Sequence, residues 1–395
     1  MYRVWALNIV FLYNRTILCY HSIVAKVLFY ENVFISMKKV LACKYLHYMA
    51  AGKKTYQNTI LDIAEALKLS PATISRALNN HPYVKEKTRN DVMEMAQKLG
   101  YRRNLMASGL RSNKTNTVGL IIPRVSMFFH AEVITTIQND LHKHGFSLII
   151  CQSNDSVSME RELTETLFAS RVDALIAACS LQTVDFSHFD KFVEHNTPVI
   201  FYDRVPVDGY KATLIKGEDF KGAYLATKHL IDAGCKLIAH ISGPLTSNLY
   251  QDREAGFLKA MEEHDLPVQK EWIFHHELTH ENAKKAMQEL FKLHIVPDGL
   301  FANNDTSAIA AIEYAKENNI SVPGRLKIAG YSNDPRTAII TPSVTSVEQF
   351  PNLVGRRIVE TLTELLKNGE AGQMYKTDPV IIPVELIARA STATD

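Results

Sequence analysis

From residue 118 onward the chain repeats one pattern: a short, unbroken apolar run followed by a longer stretch at helical spacing. Residues 118–122, 147–151, 174–177 and 199–201 are the runs of a first series, with helical stretches such as 131–144, stopped by Gly145, between them. The rhythm restarts at 237–241, 299–302 and 327–331, after a helix over 220–233 and its stop at Gly234. A strand with one wet face alternates apolar and polar residues, so an unbroken apolar strand must be covered on both faces. That requires a parallel sheet with helices on each side. Two such series imply an α/β core of two doubly wound parallel-sheet subdomains, which 395 residues accommodate with room for a small extra domain. Ligands of such sheets sit beyond the carboxyl ends of the strands, so a cleft shared by the two subdomains is the expected binding site.

The extra domain is a compact all-α head over 57–104. Ile60, Ile63, Ala64 and Leu67 fall at helical spacing, Lys68-Leu69 interrupts them, and Ser70-Pro71 supplies an N-cap hydroxyl followed by a proline at the first helical position. Ile74, Ala77 and Leu78 turn a second helix inward. Pro71, Ala72, Thr73, Ser75 and Arg76 are left outside, a small, polar face with one cation that suits close approach to base edges and phosphates. A third helix runs from about Lys85 to Leu99 and stops at Gly100. Charge agrees with this placement: residues 53–114 hold twelve Lys and Arg against five Asp and Glu, while the whole chain is only +2.

Asp62-Ile63-Ala64, Thr73-Ile74-Ser75-Arg76, Leu78-Asn79, Thr88-Arg89, Leu99-Gly100-Tyr101, Leu110-Arg111 and Thr115-Asn116-Thr117-Val118-Gly119 follow one another in an order that resembles the lactose-repressor family of bacterial transcription regulators. The resemblance spans roughly residues 58–390. It implies a helix-turn-helix head, a hinge over 105–116, and a core over 117–395 of the periplasmic-binding-protein type that binds an effector and dimerises. In such a protein the second helix reads the major groove, giving Ser70, Pro71, Ala72, Thr73, Ser75, Arg76 and Asn79 as DNA contacts, with Ala72 and Arg76 at the main base-reading positions. Pro71 replaces a more usual reader and has no backbone N–H to donate. The resemblance also implies a hinge helix that orders on the minor groove, where Leu110 wedges a base step and Arg111 stands behind it. Ser108-Gly109 departs from the pattern, and a glycine costs roughly 1 kcal/mol inside a helix relative to alanine.

For the effector site the resemblance implies Phe129, His130, Asp203, Arg253, Asn304, Ser332 and Gln349. His130 stands where relatives commonly have a second phenylalanine, and Ser332, in Gly330-Tyr331-Ser332-Asn333, where many have aspartate. Aromatic faces plus convergent donors and acceptors suit a sugar or sugar derivative, and purines and other small polar molecules fit the same chemistry. The implied function is a DNA-binding transcriptional regulator, a repressor in kind, acting as a homodimer on double-stranded operator DNA under control of that effector. The alternative is a solute-binding protein of a transport system, which would share the core but needs an exported start and no basic head.

His276-Glu277-Leu278-Thr279-His280 satisfies the zinc-protease pattern, which works only with both histidines on one helical face. Here Trp272-Ile273-Phe274 reads as a strand and Thr279 as the cap of a helix starting near Glu281, so the histidines straddle a loop. No metal, cofactor or catalytic residue is expected, and neither a phosphate-cradling glycine loop nor a nucleophile elbow occurs. Cys151, Cys179 and Cys235 fall in or beside apolar runs and read as buried free thiols of a cytoplasmic, nucleoid-associated protein. Residues 1–52 do not fit the family pattern. Glu31 is the only acid of residues 1–48, and the apolar stretch 5–13 is too short to span a bilayer. Translation from Met49, or from Met37, is the reading they suggest.

Overall fold

The computed structural model describes residues 58–101, 114–206, 210–368 and 375–394. They fall into two units divided after Asn104. The N-terminal unit is three helices: α1 (Ile60–Leu67), α2 (Pro71–Leu78) and α3 (Glu86–Lys98). Each boundary has a local cause. Thr59 and Asp62 form a reciprocal capping box at the start of α1, and Lys68 ends it in the left-handed region at φ 53°. Ser70 accepts from the Thr73 N–H and Pro71 occupies the first turn of α2. Ile63, Ile74 and Val92 are fully buried where the three helices meet, with Ala64, Ala77 and Ala96 around them. Each such aliphatic side chain contributes about 1.5–3 kcal/mol, enough to hold helices too short to persist alone.

The second unit holds two six-stranded sheets. The first comprises β1 (Thr117–Ile122), β2 (Ser147–Gln152), β3 (Ala174–Ala177), β4 (Val199–Tyr202), β5 (Thr213–Gly217) and β11 (Val380–Ile382), in the order β11-β5-β4-β3-β1-β2. The second comprises β6 (Ile238–Ser242), β7 (Ile273–His275), β8 (Gly299–Ala302), β9 (Lys327–Tyr331), β10 (Thr345–Glu348) and β12 (Glu385–Ile387), in the order β12-β10-β9-β8-β6-β7. All pairings are parallel except β10 with β12. Residues 118–122 of β1 and all of β3, β4 and β8 are buried, as their unbroken apolar runs require.

Helices cover both sheets: α4 (Phe128–Lys143), α5 (Val157–Ala169) and α6 (Asp190–Glu194) in the first subdomain, and α7 (Asp219–Asp232), α8 (Asn248–Glu263), α9 (His280–Leu290), α10 (Asp305–Glu317) and α11 (Arg336–Ile339) in the second. A last helix, α12 (Pro351–Asn368), returns to the first subdomain, where Val354, Ile358 and Leu362 pack with Val133, Ile137 and Leu141 of α4. The chain therefore crosses between subdomains three times, after β5, after β10 and between β11 and β12. At the second crossing Phe350 takes a left-handed φ of 50°. Helices α7 and α8 approach so closely that a Cβ on Gly256 would lie 2.1 Å from the Phe220 carbonyl oxygen.

Strand β7 lies where Trp272-Ile273-Phe274 reads as a strand, whereas β5, β10, β11 and β12, three to five residues long and for the most part interrupted by polar or glycine positions, are hidden from a search for apolar runs. Strand β2 departs from the buried pattern because it ends its sheet: Ile149 and Ile150 are exposed and Cys151 is half-buried, while Cys179 and Cys235 are buried.

Candidate functional site

In the head, the cap and proline that start α2 aim its outer face. Ser70, Pro71, Ala72, Arg76 and Asn79 are exposed, and Thr73 and Ser75 are half-buried. Ser70 Oγ lies 2.8 Å from Thr73 Oγ1, and Asn79 Nδ2 donates to the Ser75 carbonyl at 2.7 Å, which fixes both ends of the helix. The face offers small side chains at its N-terminal end and a guanidinium in its last turn. Leu110 and Arg111, with Gly109, lie outside the described residues.

In the core, a cleft of about 340 Å³ opens between the subdomains. Arg124, Phe128, Phe129, Asp155, Leu181 and Arg204 line it from the first, and Tyr250, Glu277, His280, Asn304, Asp305, Ser332, Asp334 and Arg336 from the second. Arg124 joins the two walls: its guanidinium pairs with Asp155 at 3.3 Å on its own side and with Glu277 on the other. Asp155 in turn holds Arg204. Across the cleft Arg336 grips Asp334 through Nε at 2.9 Å and Nη2 at 2.6 Å. Burial pushes the Asp305 carboxyl up to about 6 despite its bonds from Ser346 and the Asp334 N–H.

Three of the seven residues expected at the effector site, Phe129, Asn304 and Ser332, are on the cleft wall. Asn304 caps α10, its Oδ1 accepting from the Ser307 N–H, and Nδ2 donates to the Leu278 carbonyl. Ser332 Oγ donates to Gln349 Oε1 at 2.8 Å, placing that amide behind it. The others do not line it: His130, Arg253 and Gln349 are buried, while Asp203 is half-buried. His130 is fully buried with Nδ1 3.1 Å from the Tyr202 hydroxyl, and its Nε2 lies 4.0 Å from Asp203. Burial depresses the His130 imidazole to about 3 and, despite Arg204 and Arg253, raises Asp203 to about 6. Arg253, 4 % exposed, donates from Nε to Asp219 and from Nη1 to the Asn303 carbonyl, both at 2.8 Å, with its guanidinium 3.6 Å from the Tyr331 ring centroid.

Sequence reading did not single out Arg124, Asp155, Arg204, Tyr250, Asp305 or Asp334. Most of them follow within a few residues of the end of an apolar run, so a search of what trails each strand would have found them. His276 and His280 flank the loop between β7 and α9; Thr279 caps α9 and His280 bonds Glu313. Among the described residues no group of His, Cys, Asp and Glu is arranged to hold a metal ion. Nor is any helix among the described residues long and apolar enough to cross a membrane.

Residues 59–104 match the family described as bacterial regulatory proteins, lacI family, and residues 227–392 match the periplasmic binding protein-like domain. The HTH-type transcriptional repressor PurR of Actinobacillus pleuropneumoniae serotype 5b (strain L20) is 31% identical over 333 residues, which cover 84% of this chain and 98% of that protein. The PurR repressor of Aliivibrio salmonicida (strain LFI1238) is 30% identical over 78% of this chain and 92% of its own. Among solved structures, the lac repressor dimer bound to operator and the anti-inducer ONPF superposes with a TM-score of 0.73 at 24% identity, covering 85% of this chain and 99% of that one. The transcriptional regulator CelR in complex with cellobiose gives 0.63 at 23% identity over 85% and 99%. Both have the fold described above. A transport protein would account for the core alone, whereas the similarity begins in the head and runs to the end of the second sheet. This chain belongs to the lacI family of bacterial regulatory proteins and is a DNA-binding transcriptional regulator with a small-molecule effector.

Proposed function

We propose that the protein is a cytoplasmic, homodimeric repressor whose operator affinity is set by a sugar or sugar derivative bound between the core subdomains. The observation that carries this reading is the cleft itself. It is at the small end of the range for small-molecule sites, and it combines the aromatic residues Phe128 and Phe129 with an amide, carboxylates and guanidinium groups facing one another. That pairing of flat apolar faces with directional polar groups matches the two sides of a sugar ring, and cellobiose is the ligand named for the related regulator CelR.

In this reading α2 enters the major groove, with Ala72 and Arg76 reading bases and Ser70, Pro71, Thr73, Ser75 and Asn79 around them. Leu110 and Arg111 engage the minor groove at the centre of a roughly palindromic site. Dimerisation uses the core. Strand β2 ends its sheet with Ile149 and Ile150 exposed, a bare edge that a second copy would cover. Effector in the cleft biases how the subdomains close and so how the two hinges are spaced. A hundredfold change in occupancy needs a ligand that discriminates the two states by about 2.7 kcal/mol.

The test is to select bound fragments from the source genome at physiological ionic strength, then screen metabolites for those that change retention. A palindromic motif and a sugar-class effector are expected. Absence of any preferred sequence would remove the proposal, and a nucleobase as the sole active compound would remove its sugar component.

A further inference from the structure

Four of the residues expected to meet the effector, His130, Asp203, Arg253 and Gln349, do not line the cleft, and one side chain that does line it packs against Arg253. Tyr250 lies in the first turn of α8, only 6 % exposed, yet lines the cleft. Its ring is pressed against the turn after β6, where a Cβ on Gly243 would come within 2.2 Å of it. Only glycine leaves room for the ring there. The Arg253 guanidinium is 5.8 Å from the ring centroid. Tyr250 also joins Leu181 of the first subdomain and Leu249 and Leu278 of the second in a small apolar cluster that spans the cleft. Hydrogen bonds flank that closure: Thr246 Oγ1 donates to the Leu181 carbonyl at 2.7 Å, and Asn248 bridges the Asp203 carbonyl and the Val205 N–H.

We infer that Tyr250 is the specificity-determining residue of the cleft: its ring occupies the inner compartment, and the effector is left the outer one, bounded by Arg124, Asp155, Asn304 and Arg336. A phenol is a flat six-membered plate with one hydroxyl, close in outline to a pyranose ring. The chain thus supplies from its own α8 a group that fills one sugar-sized subsite beside Arg253 and Asp203. Ligands of two joined rings are excluded, and the buried Arg253–Asp219 pair serves the fold and the seating of Tyr250 rather than direct ligand contact. This inference rests on the proposed effector cleft and fixes its size and contact set.

The experiment uses the full chain with Tyr250→Ala, and Tyr250→Leu as a second variant that keeps contact with Leu181 and Leu278. The probes are p-cresol and 4-hydroxyphenyl β-glucoside, whose phenol would replace the missing ring while its glucose lies in the outer compartment. Binding is read as a saturable rise in melting temperature. The expected result is that the glucoside half-saturates the alanine variant at a concentration at least tenfold lower than the wild type, with p-cresol showing the same preference. Binding of p-cresol without the glucoside would mean a sealed core cavity and would overturn the inference, as would equal binding to variant and wild type. Loss of native circular dichroism in both variants would overturn it too, because the ring would then be core rather than a cleft occupant. A failure of the effector reading itself would look different: no metabolite would alter operator binding by the wild type, whatever the probes do.

Discussion

Arg253 Nε donates to Asp219 Oδ1 at 2.8 Å, and this buried pair ties α8 to the first turn of α7 beneath the cleft. Removing one partner leaves an uncompensated charge, which costs about 3–5 kcal/mol. Arg253→Ala should therefore lower the urea midpoint of the core strongly, and Arg253→Lys less, since it keeps the charge while losing the stacked plane over Tyr331. A change below about 1 kcal/mol for the alanine variant would contradict this assignment.

The contact between Gly256 and the Phe220 carbonyl fixes the spacing of the same two helices. Gly256→Ala must push backbone against backbone, with an overpacking cost of about 1–3 kcal/mol. Chemical denaturation should show a lower midpoint with an unchanged slope.

The pH dependence has a defined sign. The folded His130 titrates near 3, below its ordinary 6.5, because burial disfavours the imidazolium, and nearby Arg204 adds to this. Its contribution is fully present above 6.5 and is lost as pH falls toward 3. At pH 4 the loss is on the order of 3 kcal/mol, at about 1.4 kcal/mol per tenfold difference in proton affinity. His240, stacked between Phe257 and Phe301, behaves alike, whereas the raised Asp203 and Asp305 oppose the trend between about 4 and 6. In His130→Phe the fall in stability between pH 7 and pH 4 should be shallower than in the wild type; identical profiles would exclude a buried neutral imidazole.

How much of this was legible in the sequence follows from how each feature is encoded. The two sheets and the head were, because unbroken apolar runs and the Ser70-Pro71 boundary are local signals. Strands β11 and β12 were not: they are three residues each and become strands only by adding to edges formed far earlier in the chain. Phe129, Asn304 and Ser332 were expected from the resemblance, and each lies beyond the carboxyl end of a strand, on the cleft wall. Arg253 is held by Asp219 and the Tyr250 ring is seated against Gly243, contacts that no spacing rule records.

Arg124 and Glu277 are both about two-fifths exposed at the side chain, so their pairing across the cleft adds about 0–1 kcal/mol to stability. Its effect should appear in the response instead. Arg124→Ala should leave the melting temperature within a few degrees while shifting the effector concentration for the half-maximal change in operator binding. An unchanged midpoint, measured at fixed salt, would show that the pair does not bias closure.

Arg76 is exposed in the last turn of α2. Arg76→Ala should cost about 1–3 kcal/mol of discrimination between operator and scrambled duplex. Competition binding at constant ionic strength measures this, and equal discrimination in both versions would remove Arg76 from base reading.

The three crossings between the subdomains bear on biosynthesis. The first sheet lacks its edge strand β11 and its covering helix α12 until residues 351–382 have been made, by which time the second sheet lacks only β12. Until residues 380–387 have been made neither sheet is complete, so the two halves gain their last strands together, from one short segment.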